Sequence, residues 1–148
     1  EHFYTDMGRV LVALNSMKAT HPLHASIATG ATSTALTKGL LGPHLYVTVR
    51  HAYDGVLKGS ADQSIVLTGV SGSGKSRAVR DIVQYLCHCS AKEASHMPTR
   101  PIDTMAAKIR GALTILEAFG HAPTQLNPNA SRFGLVLGVQ FQQGILCG

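Results

Sequence analysis

The chain changes its hydrophobic period several times. Phe3-Tyr4-Thr5 and Val10-Leu11-Val12-Ala13-Leu14 flank Asp6-Met7-Gly8, which predicts two strands around a turn. From Asn15 to Leu41 the residues are rich in Thr, Ser, Ala, His and Gly with little period, and predict a loop with a short helix at most. Pro43 then opens a helix, with Leu45, Tyr46, Val49, Ala52, Tyr53, Val56 and Leu57 on one face and Gly59 as its stop. Gln63-Ser64-Ile65-Val66-Leu67-Thr68 is a short apolar run bounded by polar residues, the pattern of a buried strand. Helical spacing returns with Ala78, Val79, Ile82, Val83 and Leu86.

The second half follows the same logic. Residues 88–101 carry Ser, Lys, Glu, His, prolines and Arg100, and predict an exposed loop. Asp103 caps the next helix, whose buried face is Met105, Ile109, Ala112, Leu113, Leu116 and Phe119, with Gly120 at its end. Gly111 sits inside that helix at a cost of about 1 kcal/mol relative to Ala. The prolines and asparagines between His121 and Ser131 are loop chemistry. Phe133, Leu135, Leu137, Val139 and Phe141 then alternate with Gly134, Gly138 and Gln140, a period-2 strand. Gln142-Gln143-Gly144 turns it into Ile145-Leu146-Cys147, the second strand of a hairpin. Alternating strands and helices predict an α/β fold with a mixed sheet and flanking helices.

Composition narrows the picture. The 148 residues are 45% hydrophobic and 14% charged, a mostly buried segment and not a disordered tail. No apolar run is long enough to span a bilayer, and no stretch has the pattern of a leader. The net charge is +5, but the 13 Lys and Arg are scattered, so nucleic acid is not an expected partner. Cys87, Cys89 and Cys147 make an odd count without a disulfide framework, consistent with a reducing compartment.

The strongest chemical signal is Gly69-Val70-Ser71-Gly72-Ser73-Gly74-Lys75-Ser76. It fits Gly-x-x-x-x-Gly-Lys-Ser/Thr, the phosphate-binding loop. Its glycines let the backbone turn where side chains would clash, so several N–H groups can aim at one anion. Lys75 would reach the terminal phosphates, and the Ser76 hydroxyl would enter a magnesium shell. A Gly/Ser surface turn is the plain alternative. The order strand, loop, helix argues against it, because the helix N-terminus adds its own pull on phosphate.

A second stretch, Asn127-Pro128-Asn129-Ala130-Ser131-Arg132-Phe133-Gly134, joins a helix to a strand. Alone it reads equally well as a surface turn. Together with the phosphate loop it resembles switch I of the myosin motor domain. Other matches fall in the same order. Pro43-His44-Leu45-Tyr46 and Ala52-Tyr53 resemble that family's Pro-His-Ile-Tyr and Ala-Tyr helix. Gln63-Ser64 and Gln84-Tyr85-Leu86 flank the loop as they do in the family. Leu116-Glu117-Ala118-Phe119-Gly120 resembles its Leu-Glu-Ala-Phe-Gly approach to switch I. Tyr4-Thr5, Leu11-Val12-Ala13 and Asn15 resemble its early strand and the Asn of its Asn-Pro. The likeness covers nearly the whole chain and is weakest from Ser16 to Leu41.

The resemblance implies a P-loop NTPase core that binds Mg-ATP between the phosphate loop and switch I, hydrolyses it, and couples the cycle to actin. Residue by residue, Lys75 would neutralise the β- and γ-phosphates, and Ser76 and Ser131 would give magnesium its hydroxyls. Asn127 would contact phosphate with Asn129 beside it, and Arg132 would pair with a switch II glutamate. Such a site works by positioning and charge stabilisation. A cytoplasmic, cytoskeleton-associated location follows from the same resemblance.

The departures point to a divergent, unconventional member. Val70 stands for the first Glu of Gly-Glu-Ser-Gly-Ala-Gly-Lys-Thr, Ser73 for its Ala, Ser76 for its Thr and Arg77 for the next Glu. Ala130 stands for the first Ser of Asn-Ser-Ser-Arg-Phe-Gly, a hydroxyl near the attacking water, and Leu135 for a Lys. Ser16 replaces the Pro of Asn-Pro, and His24 takes the place of the aromatic that edges the adenine. No Asp-x-x-Gly switch II follows Cys147, so the sequence is expected to be part of a larger motor head, inactive by itself.

Other readings of these residues are weaker. Cys87-His88-Cys89 with His96 lacks the paired spacing of a zinc site. Asp54, Asp62, Asp81 and Glu117 form no acid pair, and Glu117 is expected to brace the approach to switch I. A small phosphotransferase would need an Arg-rich lid that is absent. The remaining rival to the ATPase is a pseudoenzyme head, with little turnover, that tethers actin; Val70, Ala130 and Leu135 favour it.

Overall fold

The computed structural model describes residues 3–15, 42–59, 61–93 and 100–147. The first pairing is the expected hairpin. Strands β1 (Tyr4–Met7) and β2 (Val10–Ala13) run antiparallel, with Tyr4 opposite Ala13 and Met7 opposite Val10. The turn lies at Gly8-Arg9, so Asp6 and Met7 belong to the strand and not to the turn. Leu14 N–H donates to the Phe3 carbonyl at 2.8 Å and extends the ladder.

Helix α1 (Leu45–Leu57) follows the apolar spacing, burying Leu45, Tyr46, Val49 and Tyr53. Pro43 precedes the cap and does not start the helix. His44 is the N-cap; its Nδ1 accepts from the Tyr46 N–H at 3.1 Å, which satisfies one of the orphan donors of the first turn. The His44 ring also lies 4.8 Å from Tyr4 and 4.9 Å from Tyr46, centroid to centroid. The helix closes at Lys58 and Gly59, whose N–H groups reach the Asp54 and Val56 carbonyls. The Asn15–Leu41 loop, with Ser16 and His24, lies outside the described residues apart from Asn15.

The chain divides into two units, residues 1–65 and 66–148. The second contains helices α2 (Lys75–Glu93) and α3 (Arg100–Gly120). Two short antiparallel ladders accompany them. Strand β3 (His121–Ala122) pairs with β4 (Ala130–Ser131), and β5 (Phe141–Gln142) with β6 (Ile145–Leu146). The core joins Val83 and Cys87 of α2, Ala106 of α3 and Leu146 of β6, with Met105, Ile109, Val139 and Phe141 packed against them. Ser90 is fully buried, and its Oγ accepts the Leu146 N–H at 2.7 Å, fastening β6 to α2.

Several expectations change. Helix α2 runs to Glu93 and α3 begins at Arg100, so 88–93 and 100–101 of the predicted loop are helix, and 94–99 lie outside the described residues. Cys89 and Ser90 are buried, and that burial continues the helix through a stretch whose composition reads as loop. Asp103 lies inside α3 and is not its cap. On α3, Ala106 and Leu113 are the buried positions, whereas Leu116 is exposed and Phe119 is 90% exposed.

The run 63–68 forms no strand and pairs with none among the described residues, and Val66 is exposed. Residues 134–138 are exposed and take no ladder partner among the described residues; Phe141–Gln142 becomes strand, and the Gln140 carbonyl accepts the Cys147 N–H at 2.9 Å. A strand needs a neighbour to take its N–H and C=O groups. The hairpin turn at Gln143-Gly144 forms as expected, both residues at positive φ (52° and 80°), the requirement of a two-residue hairpin loop.

Candidate functional site

The Gly69–Ser76 loop is built on backbone that glycine alone adopts easily. Gly69, Gly72 and Gly74 have φ of 149°, 80° and 98°. The loop closes through Ser73 N–H on the Val70 carbonyl at 3.2 Å, and Ala78 N–H on Gly74 O at 2.9 Å opens α2. A Cβ at Gly69 would lie 2.9 Å from Ser73 Oγ, so that hydroxyl occupies the space a larger residue at 69 would need. Ser73 Oγ is itself buried without a hydrogen-bond partner.

Lys75 arches back over this loop. Its Nζ donates to the Gly69 carbonyl at 2.7 Å and to the Val70 carbonyl at 2.8 Å. An ammonium held by two carbonyls beside a glycine cradle and a helix N-terminus is a donor set suited to an anion. Ser76 is exposed in the first turn of α2. Val70 is 79% exposed, an apolar side chain at the rim.

The 127–134 loop is fixed at its start by a reciprocal turn. Thr124 N–H donates to the Asn127 carbonyl at 2.8 Å, and Asn127 N–H donates to Thr124 Oγ1 at 3.1 Å. Asn127 Oδ1 accepts the Asn129 N–H at 3.0 Å, an Asx-type bond within the loop. That leaves Asn127 Nδ2 to donate to Ser71 Oγ at 3.1 Å, and a Cβ on Gly72 would touch the same amide. The structure therefore brings Asn127 against Ser71 and Gly72. Asn129 is held further by His121, Nδ1 to Oδ1 at 2.9 Å.

The remaining residues face along their own loop. Ser131 Oγ donates to the Phe133 carbonyl at 3.3 Å. Arg132 is exposed, and its N–H donates to Gly120 O at 2.9 Å. The Phe133 ring lies directly on the Gly120 α-carbon, where a Cβ would overlap it. Ala130 is 1% exposed in β4. Glu117 pairs with Arg80 of α2, a partner that no motif identified. The Thr124 turn and the His121–Asn129 bond were also missed; Thr three residues before Asn was the one available signal.

Ser76 and Ser131 offer hydroxyl oxygens of the kind a hard divalent cation takes, and with the loop's anion cradle they fit Mg-nucleotide. Cys87 is packed in the apolar core, and among the described residues no three His, Cys, Asp or Glu cluster as metal ligands. No helix among the described residues is long and apolar enough to cross a membrane.

The family profile described as myosin head (motor domain) matches residues 1–147. Unconventional myosin-XVIIIa of Mus musculus is 37% identical over 103 residues, which cover 70% of this chain and 5% of that protein. Myosin-M heavy chain of Dictyostelium discoideum is 31% identical over 144 residues, 96% of this chain and 8% of that protein. Myosin-2A of Naumovozyma castellii is 32% identical over 146 residues, 96% of this chain and 9% of that protein. The chain thus spans less than a tenth of each of these relatives.

Proposed function

The chain belongs to the myosin head (motor domain) family, and from that premise we propose that it is the nucleotide-binding part of an actin-based motor that binds and hydrolyses Mg-ATP. In this reading the chain is part of a P-loop NTPase core, and actin binds through parts of the motor outside this sequence. The cytoplasmic, cytoskeletal location follows from the same function.

The observation that carries the reading is the Asn127–Ser71 hydrogen bond. It joins the two loops that would flank the phosphates, from positions 56 residues apart. Gly69, Val70, Ser71, Gly72, Ser73 and Gly74 would wrap the β-phosphate, and Lys75 would exchange its two carbonyls for phosphate oxygens. Asn127 would leave Ser71 for the nucleotide, with Asn129 keeping its side chain oriented. Ser76 and Ser131 would hold magnesium, whose bound ion neutralises charge on the β- and γ-oxygens. Ser131 could keep its bond to the Phe133 carbonyl, because the hydroxyl donates there and its oxygen lone pairs face a cation independently.

A pseudoenzyme head remains the second reading, because the side chain at 130 is a buried methyl group and Val70 puts an apolar group at the loop's rim. Fluorescent-nucleotide titration of the full-length head tests the first step. Lys75→Ala is expected to weaken binding about 10- to 100-fold, the loss of a charge-assisted contact, while Cys87→Ser and Cys89→Ser leave the site's chemistry intact. Equal affinity for wild type and Lys75→Ala would remove the phosphate-loop assignment.

A further inference from the structure

The helix that carries Ser76 and the helix that leads to Ser131 are held together in two different ways. Toward one end, Val83 and Cys87 of α2 pack on Met105, Ala106 and Ile109 of α3. Toward the end nearer the two loops, Leu113 is the last buried residue of α3, and Ile115, Leu116 and Phe119 are exposed. There the link is Arg80 Nη2 to Glu117 Oε2, across 37 residues of sequence, with side chains 34% and 22% exposed. The surface pairs Arg50–Asp54 and Arg77–Asp81 are different: each lies within one helix at i,i+4 and adds little.

Arg80 sits one helical turn beyond Ser76, on the same face of α2. Glu117 sits three residues before Gly120, whose carbonyl takes the Arg132 N–H, and His121 pairs with Ser131. We propose that Arg80 and Glu117 are positioning residues that set the placement of Ser131 relative to Ser76, and hence the magnesium dependence of nucleotide binding. The inference rests on the Mg-nucleotide reading above. A directional ion pair at this end fixes the rotation and advance of α3 beyond Leu113, its last buried apolar side chain. The β3–β4 ladder passes that setting to Ser131 without either charged group touching the ligand.

The test uses the full-length head as wild type, Arg80→Ala, Glu117→Ala, the double alanine variant, and the reversed pair Arg80→Glu with Glu117→Arg. The first readout is the affinity for a fluorescent ATP analogue in magnesium divided by that in EDTA. Each single variant is expected to lower this ratio about threefold to tenfold, the double variant by no more than either single, and the reversed pair to restore it. The second readout is amide hydrogen exchange across residues 127–134 without nucleotide, faster in the single variants and restored in the reversed pair. A ratio unchanged by the single variants overturns the proposal. So does an equal loss with and without magnesium, or exchange that the reversed pair fails to restore. If wild type binds no nucleotide, the functional reading fails, while the exchange data still decide whether the pair positions the loop.

Discussion

The side-chain amide of Asn127 donates to the Ser71 hydroxyl at 3.1 Å, while its carbonyl oxygen accepts the Asn129 N–H at 3.0 Å. One side chain thereby shapes its own loop and touches the other. Asn127→Ala removes both bonds. In the full-length head it is expected to speed amide exchange at 127–131 and to weaken nucleotide binding about 5- to 10-fold, the order of one or two net hydrogen bonds. Exchange and affinity both equal to wild type would show the contact to be incidental.

Gly111 lies within α3 and Gly120 ends it, and the two have opposite prospects. A Cβ at 120 would overlap the Phe133 ring, whereas one at 111 meets nothing within 4 Å. Gly120→Ala is expected to destabilise the head by about 1–3 kcal/mol through the displaced ring. Gly111→Ala should stabilise it by up to about 1 kcal/mol through helix propensity. Denaturant melts of the two variants measure the difference in sign.

Under the proposed function, Ala130 would bear on turnover. Its side chain is buried at the place where the family resemblance puts a hydroxyl near the attacking water, and alanine neither donates nor accepts. Positioned proton transfer is worth about 10²–10⁴-fold in rate. The expected outcome is slow single-turnover ATP cleavage by the full-length head without actin, accelerated by Ala130→Ser. Magnesium-dependent binding should change less, since Ser76 and Ser131 keep their hydroxyls. Fast wild-type cleavage, unaffected by the added hydroxyl, would mark Ala130 as a tolerated substitution.

The isolated 148-residue chain is expected to self-associate. Residues 63–68 and 134–139 are apolar runs without ladder partners among the described residues, and Phe119, Leu126 and Val136 are each at least 90% exposed. Unpaired apolar edges recruit one another. Light scattering and amide-signal dispersion of the purified chain measure this; a monomer with a sharp cooperative melt would contradict it.

The sequence by itself determined what depends on local chemistry. The spacing of Leu45, Tyr46, Val49 and Tyr53 dictated the buried face of α1, and Gln143-Gly144 dictated a hairpin turn. Gly69–Ser76 dictated a loop that only glycine geometry permits, and Asn127 to Phe133 marked the second loop. Tertiary structure decided what depends on neighbours. Burial of Cys89 and Ser90, the latter bonded to β6, carried α2 to Glu93 through polar residues that read as loop. Alternation at 134–140 produced no strand, because period is a property of one segment and a ladder is a property of two. The partners Ser71–Asn127, Arg80–Glu117 and Gly120–Phe133 could not be read from spacing, since residues 13 to 56 positions apart meet only when packing brings their backbones together.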